Sequence, residues 1–373
     1  MTDTKTLDQE YIAHTYGRYP VEIVGGDGAT LKGADGRDYI DLGAGIGVNI
    51  FGQRDPVWVK AVTDQLNRFQ HTSNLYYTAP GAKLAEALCR RTGLKRVFFC
   101  NSGAEANECA IKVARAYAAK AKGPDCCTII TLKDSFHGRT LTTLAATGQE
   151  MFHKDFLPLT PGFAYAEPDN LEDVKRLVRE NKVAGILIEC VQGEGGVRAL
   201  AQDFVKGIAE LCRDEDIVFM TDEVQCGNGR TGYFYAYEHY GVLPDVVTTA
   251  KALGGGLPIG ATLMGEKVKD VLQPGMNGST FGGNPIVCAG ALTIVNRIDD
   301  KLLAEVKRKG ELIRTLLEGQ KGIERVTGLG LMLGVKTVKN ENEVVDAMIR
   351  GGALPLTAHG GMVRLLPPAH DHR

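Results

Sequence analysis

The sequence lacks any apolar run of transmembrane length, and its opening stretch, MTDTKTLDQE, lacks the basic and apolar pattern of a secretory leader. Neither sign of charge dominates. The 43 Lys and Arg stand against 45 Asp and Glu, a formal net charge of −2. That balance gives no electrostatic reason to expect nucleic acid or an anionic membrane as a partner. Paired cysteine motifs are missing too: the nine cysteines include no CxxC, and the adjacent Cys126 and Cys127 are awkwardly placed for a bridge. All nine read as reduced thiols of a cytoplasmic protein. His370 and His372 have no companion ligands, so no metal is expected. Repeats, low-complexity tracts and long linkers are absent. What is present is 373 residues, 44% of them apolar, ample for one large α/β core with a smaller second lobe.

Short apolar runs at 97–100, 128–131, 185–189, 217–222, 245–249 and 260–264 read as strands. Amphipathic segments at 104–119, 171–180 and 203–213 fall between several of them. The first of these carries a stripe of Ala106, Ala110, Val113, Ala114 and Tyr117. This alternation predicts a mainly parallel central sheet whose last strand is free to run the other way. Further helices are expected at 56–68, with Val59, Val62 and Leu66 on one face, and at 82–91, 285–297 and 299–317. A hairpin is expected around Asp35-Gly36, and a polar, aromatic loop at 71–78. After residue 335 the text reads as strand, helix and two short strands. The expected division is an N-terminal segment, 1–60, contributing to a small domain, a large domain, 61–285, and a linking helix with the rest of the small domain, 286–373. GAGIG at 43–47 lacks both GxGxxG spacing and a strand–helix frame, which argues against a nicotinamide-dependent reductase.

The chemistry concentrates in 221–252, where one predicted strand ends at Asp222 and another just before Lys251. Open α/β sheets bind ligands beyond the carboxyl ends of their strands, so a carboxylate and an amine would face one crevice. Such a pair suits pyridoxal phosphate. The lysine can form a Schiff base, and the aspartate can keep the ring nitrogen protonated as an electron sink. A structural ion pair is the plainer alternative. CNSGAEANE at 100–108 follows a strand and opens a helix, so Ser102, Gly103 and Ala104 offer backbone N–H groups and a hydroxyl to a phosphate. A simple Ser N-cap explains the same text. In SFHGRT, 135–140, Phe136 can lie flat on a pyridine ring and Arg139 offers a planar fork for a carboxylate. His137 could pass for a general base, but Lys251 is better placed for that task. Val224 can pack on the ring's second face and Gln225 can hydrogen-bond its oxygen.

DEVQ, GRTG, the lysine before ALGGG, SGAEAN and FHGRT together resemble the class III pyridoxal-phosphate aminotransferases, and within them the acetylornithine branch, over roughly residues 11–367. The resemblance implies an aspartate-aminotransferase-like large domain plus a small α+β domain made from both chain ends. It makes Lys251 the Schiff-base lysine, Asp222 the ring-nitrogen partner, and Gly103 and Ala104 the phosphate holders. Arg139 would clamp the α-carboxylate of an acetylated substrate. Glu194, in VQGEGG, would pair with Arg364 of MVRLLPP when the amino donor is bound, and release it to grip glutamate or 2-oxoglutarate. Two solvated loop charges remain the alternative for that pair. In GSTFGGNP, Ser279 would approach substrate and Thr280 would reach across a homodimer to the neighbour's phosphate. Tyr16, in HTYGR, would sit at the substrate entrance. The implied reaction moves the δ-amino group of N-acetylornithine to 2-oxoglutarate. Ornithine, succinylornithine and 4-aminobutyrate aminotransferases share most of this pattern, and a catalytically silent cofactor-binding homologue is the alternative of another class. Where the family pattern continues into a terminal helix, this sequence reads AHDHR, so a shortened small lobe is expected.

Overall fold

The computed structural model describes residues 3–370. Its central sheet has seven strands, in the spatial order Arg96–Cys100, Gly260–Met264, Val246–Thr249, Val218–Asp222, Val183–Ile188, Thr128–Leu132 and Phe163–Ala166. Gly260–Met264 runs antiparallel to both neighbours, and the remaining pairs are parallel. The inner strands Val183–Ile188, Val218–Asp222 and Val246–Thr249 are buried at every position. Helices on both faces make that so. Val218, Met220 and Val246 pack with residues of the helix Gly103–Lys122, whereas Phe219 and Val247 join the cluster containing Val205 and Ile208 of the helix Gln202–Asp214. This is the two-residue alternation of a strand covered on both sides.

Two differences from the sequence reading have clear physical causes. The helix Pro56–Leu66 does form, but Val59 and Leu66 are exposed. It packs on the helix Pro285–Arg297 through Val62, as expected, and Trp58, closing so tightly that a Cβ on Gly290 would lie 2.8 Å from Trp58 Nε1. The edge strand Phe163–Ala166 was not anticipated: its text, FAYA, holds no β-branched residue, and pairing with Thr128–Leu132 forms it.

The chain ends meet in smaller sheets. Ile23–Asp27, Thr30–Gly33 and Asp38–Asp41 form an antiparallel meander, its second hairpin turning at Asp35-Gly36, and Ala353–Leu354 adds in parallel to Asp38–Asp41. A second, antiparallel sheet holds Ile323–Leu329, Met332–Thr337, Met362–Leu365 and Leu356–Ala358. This lobe has more strands than the expected strand, helix and two short strands. Ile323–Leu329 interleaves Arg, Glu and Gly, so its alternation is broken in sequence and its pairing with Met332–Thr337 decides it. The nine cysteines form no disulfide. Among the described residues no helix is long and apolar enough to cross a membrane, and no His, Cys, Asp and Glu cluster could hold a metal. His372 lies outside the described residues.

Candidate active site

The strand Val218–Asp222 delivers its last carboxylate to the carboxyl edge of the sheet, where Asp222 is only 3% exposed. A carboxylate so buried needs donors. Val224 N donates to Oδ1 over 3.0 Å, while Asn107 Nδ2 and His137 Nδ1 each lie 2.8 Å from Oδ2. Asn107 also donates to the His137 carbonyl over 2.8 Å and accepts from Thr248 Oγ1 at 2.7 Å. Asp222 is thereby fixed in position by three elements. The sequence reading missed Asn107, although it stands one helical turn after Gly103 and so points the same way. His137 is bound to Asp222 rather than free to act as a base, and its other ring nitrogen is buried without a partner.

Lys251 follows the neighbouring strand Val246–Thr249 and opens a short 3₁₀ turn in the left-handed region, φ 46°. It and Asp222 line one cavity of about 450 Å³. Burial, and next the Arg364 guanidinium, hold its ammonium below the usual lysine range, against the pull of Glu194, Asp222 and Glu189. The free amine is the nucleophilic form. Glu189, just past the strand Val183–Ile188, accepts from Phe136 N over 2.9 Å. Burial, then the Asp222 carboxylate, push its carboxyl well above the usual range.

At one end of the cavity the helix Gly103–Lys122 begins. Ser102 is its N-cap, its hydroxyl accepting from Glu105 N over 3.1 Å, and Glu105 reaches back to Asn101 N over 2.7 Å. The N–H groups of Gly103 and Ala104 meet no acceptor among the described residues and lie in the cavity wall at the positive end of a 20-residue helix. That is a cradle for an anion. Gly103 is required there, since a Cβ would lie 2.7 Å from Val224 Cγ1. Phe136 and Val224 give apolar lining.

At the mouth, Arg139 is exposed, with its guanidinium 4.1 Å from the Phe152 ring centre and 5.6 Å from that of Phe136. It has no carboxylate partner among the described residues. Arg364 differs. Its side chain is 5% exposed, and Nη1 lies 2.7 Å from Glu194 Oε1 and 3.0 Å from Gln225 Oε1. Gln225 therefore links the cavity wall to this pair. Ser279 Oγ accepts from Asn101 Nδ2 over 3.1 Å and from Gly282 N over 2.9 Å. Thr280 is exposed and does not line the cavity, and Tyr16, 73% exposed, lies outside it as well.

Comparison with known proteins matches residues 11–370 to the family model "Aminotransferase class-III". The acetylornithine aminotransferase of Haemophilus ducreyi is 47% identical, across 98% of this chain and 93% of that protein. That of Methanocaldococcus jannaschii is 46% identical, across 97% and 92%. Among solved structures, ornithine aminotransferase from Toxoplasma gondii superimposes with TM-score 0.93 at 32% identity, covering 98% of this chain and 89% of that one. N-acetylornithine aminotransferase from Stenotrophomonas maltophilia gives 0.84 at 35%, covering 98% and 93%. Enzymes of this class use pyridoxal phosphate, and the cavity fits it. It offers unpartnered N–H groups for a phosphate, a fixed carboxylate for a protonated ring nitrogen, apolar side chains for a ring and a half-buried amine for an aldehyde. A sheet ending in that carboxylate and amine, and a family match along nearly the whole sequence, lead to one conclusion: the chain is a pyridoxal-phosphate-dependent enzyme of the class III aminotransferases.

Proposed function

We propose that the chain transfers the δ-amino group of N-acetylornithine to 2-oxoglutarate, reversibly, giving N-acetylglutamate semialdehyde and glutamate. The observation carrying this reading is the unequal state of two arginines near the cavity. Arg139 is unpaired, whereas Arg364 is buried and neutralised by Glu194 at 2.7 Å. Acetylornithine entering by its δ-amine presents one α-carboxylate, for Arg139. Its apolar stem would leave a buried, unpaired Arg364 costly, and Glu194 removes that cost. Glutamate has two carboxylates and needs both arginines. The names of the similar proteins support the same substrate. The likeness to ornithine aminotransferase favours free ornithine as the second reading.

Pyridoxal phosphate, when bound, supplies an aldehyde that takes and passes on the amino group, and an electron-withdrawing ring. Gly103 and Ala104 would hold its phosphate, Phe136 and Val224 would flank its ring, and Gln225 would donate to the ring oxygen. Asp222, locked by Asn107 and His137, would keep the ring nitrogen protonated. Lys251 would anchor the cofactor and then, displaced by the substrate amine, move the proton at the substrate carbon through its Nζ. Ser279 would approach substrate, Ser102 would support the phosphate through its helix cap, and Tyr16 would stand at the entrance. The enzyme would act as a cytoplasmic homodimer, Thr280 reaching the neighbour's phosphate. Large apolar side chains exposed at Val59, Leu66, Leu75, Tyr77 and Phe281 support a covered face. The proposed division is 1–60, 61–285 and 286–373, with both chain ends building the smaller lobe.

Separate half-reactions, followed by stopped-flow absorbance over a panel of amino donors, test the reading. Arg364→Ala should slow the glutamate half-reaction on the order of 100-fold and the acetylornithine half-reaction much less. Arg139→Ala should impair both. Equal losses in Arg364→Ala, or a preference for free ornithine over acetylornithine in the native enzyme, would reject it.

A further inference from the structure

Glu194 sits in a tight loop whose conformation is unusual. Val191–Gln192 pairs antiparallel with Arg198–Ala199, so the five residues 193–197 form a hairpin loop. Its last two residues both have positive φ, Gly196 at 88° and Val197 at 53°. Glycine adopts that region freely, but for a β-branched residue it is strained. Such a conformation persists only where the surroundings over-determine it.

The surroundings of Val197 do so. It is 0% exposed and lies against the C-terminal sheet at two glycines. A Cβ on Gly334 would lie 2.9 Å from Val197 Cβ, and one on Gly328 would lie 3.1 Å from Val197 Cγ1. The two glycines thus leave a notch that the valine side chain fills. Gly334 is the register partner of Arg364. The valine therefore engages the sheet at the rung that carries the arginine. Two hydrogen bonds hold the same loop, Thr327 Oγ1 to Gly196 O over 3.2 Å and His359 N to Glu194 O over 2.9 Å. Neither constrains the φ of residue 197.

We infer that Val197 is a positioning residue that sets substrate preference: wedged into the Gly328–Gly334 notch, it holds the loop where Glu194 neutralises Arg364. This inference rests on the proposed Glu194–Arg364 switch. Its physical content is that the strained valine excludes loop conformations in which Glu194 lies away from Arg364. Filling the notch compensates for the strain. Without the wedge the loop spreads over more conformations, Arg364 is freed more often, and substrates with a second carboxylate gain over those with an apolar stem.

The experiment measures both half-reactions, with acetylornithine and with glutamate, in the full-length holoenzyme. Val197→Gly should lower the ratio of acetylornithine to glutamate rates by about tenfold. Val197→Ala should shift it in the same direction by less, and it supplies the ratio if the glycine variant does not yield soluble holoenzyme. Gly334→Ala should also lower the ratio, because its methyl group would lie 2.9 Å from the valine Cβ and 2.7 Å from Thr327 Oγ1, which ties the loop at Gly196. A valine that only stabilises the fold would lower thermal stability and scale both half-reactions alike, and that result overturns the inference. Glu194→Ala is the control. If it leaves the ratio unchanged, the switch itself fails. If it moves the ratio and neither Val197 variant does, the switch stands and the role of Val197 is rejected.

Discussion

Asp222 shows how a single side chain acquires a function from its neighbours. Three donors from the loop after its own strand, from the helix Gly103–Lys122 and from the SFHGRT loop converge on its two oxygens. A charge held so firmly needs no reorganisation when a cationic ring nitrogen forms opposite it. Asp222→Asn should therefore retain bound cofactor but slow proton transfer about 100-fold or more, seen as a loss in the single-turnover chemical step. Near-normal single-turnover rates would make the residue merely structural. Its neighbour Glu223 points the other way, fully buried, accepting from Ala236 N over 2.7 Å and Tyr237 N over 3.0 Å. Burial raises its carboxyl from the ordinary value of 4.5 to about 8. The folded chain thus binds a proton that the unfolded chain has lost over that interval. The stability this group contributes is complete below the unfolded value and is lost as pH rises through about 8. Glu223→Gln should flatten the fall in melting temperature over that window. An unchanged slope would place the titration elsewhere.

At the scale of elements, the junction between a helix start and a turn decides whether the cavity can take a phosphate. Gly103 opens its helix directly against Val224, leaving no room for even one methyl group. Gly103→Ala must push Val224 into the space assigned to the ring, or displace the helix start whose N–H groups form the cradle. Either way pyridoxal phosphate should bind about tenfold more weakly or worse, measured by absorbance titration of the apoenzyme. Melting of the apoenzyme should change little by comparison. Unaltered cofactor affinity would remove the cradle from this helix. The same junction marks the edge of what sequence can tell. A Ser-Gly-Ala turn before a helix is legible as an anion site because the free N–H groups are a property of any helix start. The place of Asn107 one turn after Gly103 was legible as facing the same way, but its partners were not, because they lie 30, 115 and 141 residues away.

For the whole molecule, the exposed positions around the site matter most. Thr280 is exposed and does not line its own cavity, and it sits on a loop tied by Ser73 Oγ to Thr280 O over 3.2 Å and by Asn74 Nδ2 to Ser279 O over 3.0 Å. If a second copy covers this surface, Lys251→Ala and Thr280→Ala damage different contributions to one shared site. Mixed dimers of the two inactive variants should then regain one intact site each, about a quarter of wild-type activity at equal mixing. Absence of recovery, with Thr280→Ala shown to be impaired and heterodimers shown to form, would confine the site to one subunit.

Sequence by itself determined the alternating strand and helix order, the mainly parallel sheet, and the placing of Asp222 and Lys251 at the carboxyl ends of two strands that face one crevice. Those features follow from local periodicity and from the rule that parallel strands open to ligands at their carboxyl ends. Only the tertiary structure decided which face of the helix Pro56–Leu66 is buried, because packing against Pro285–Arg297 selected Trp58 over Val59 and Leu66. The resemblance implied that Glu194 pairs with Arg364, but only the tertiary structure closed that contact to 2.7 Å across 170 residues of chain and buried the guanidinium that the carboxylate neutralises. It also revealed Val197 in a backbone region that valine avoids, a state fixed by a notch between two distant glycines. Contacts between residues so far apart carry no periodicity and leave no local signature, so they exist only once the sheets have assembled.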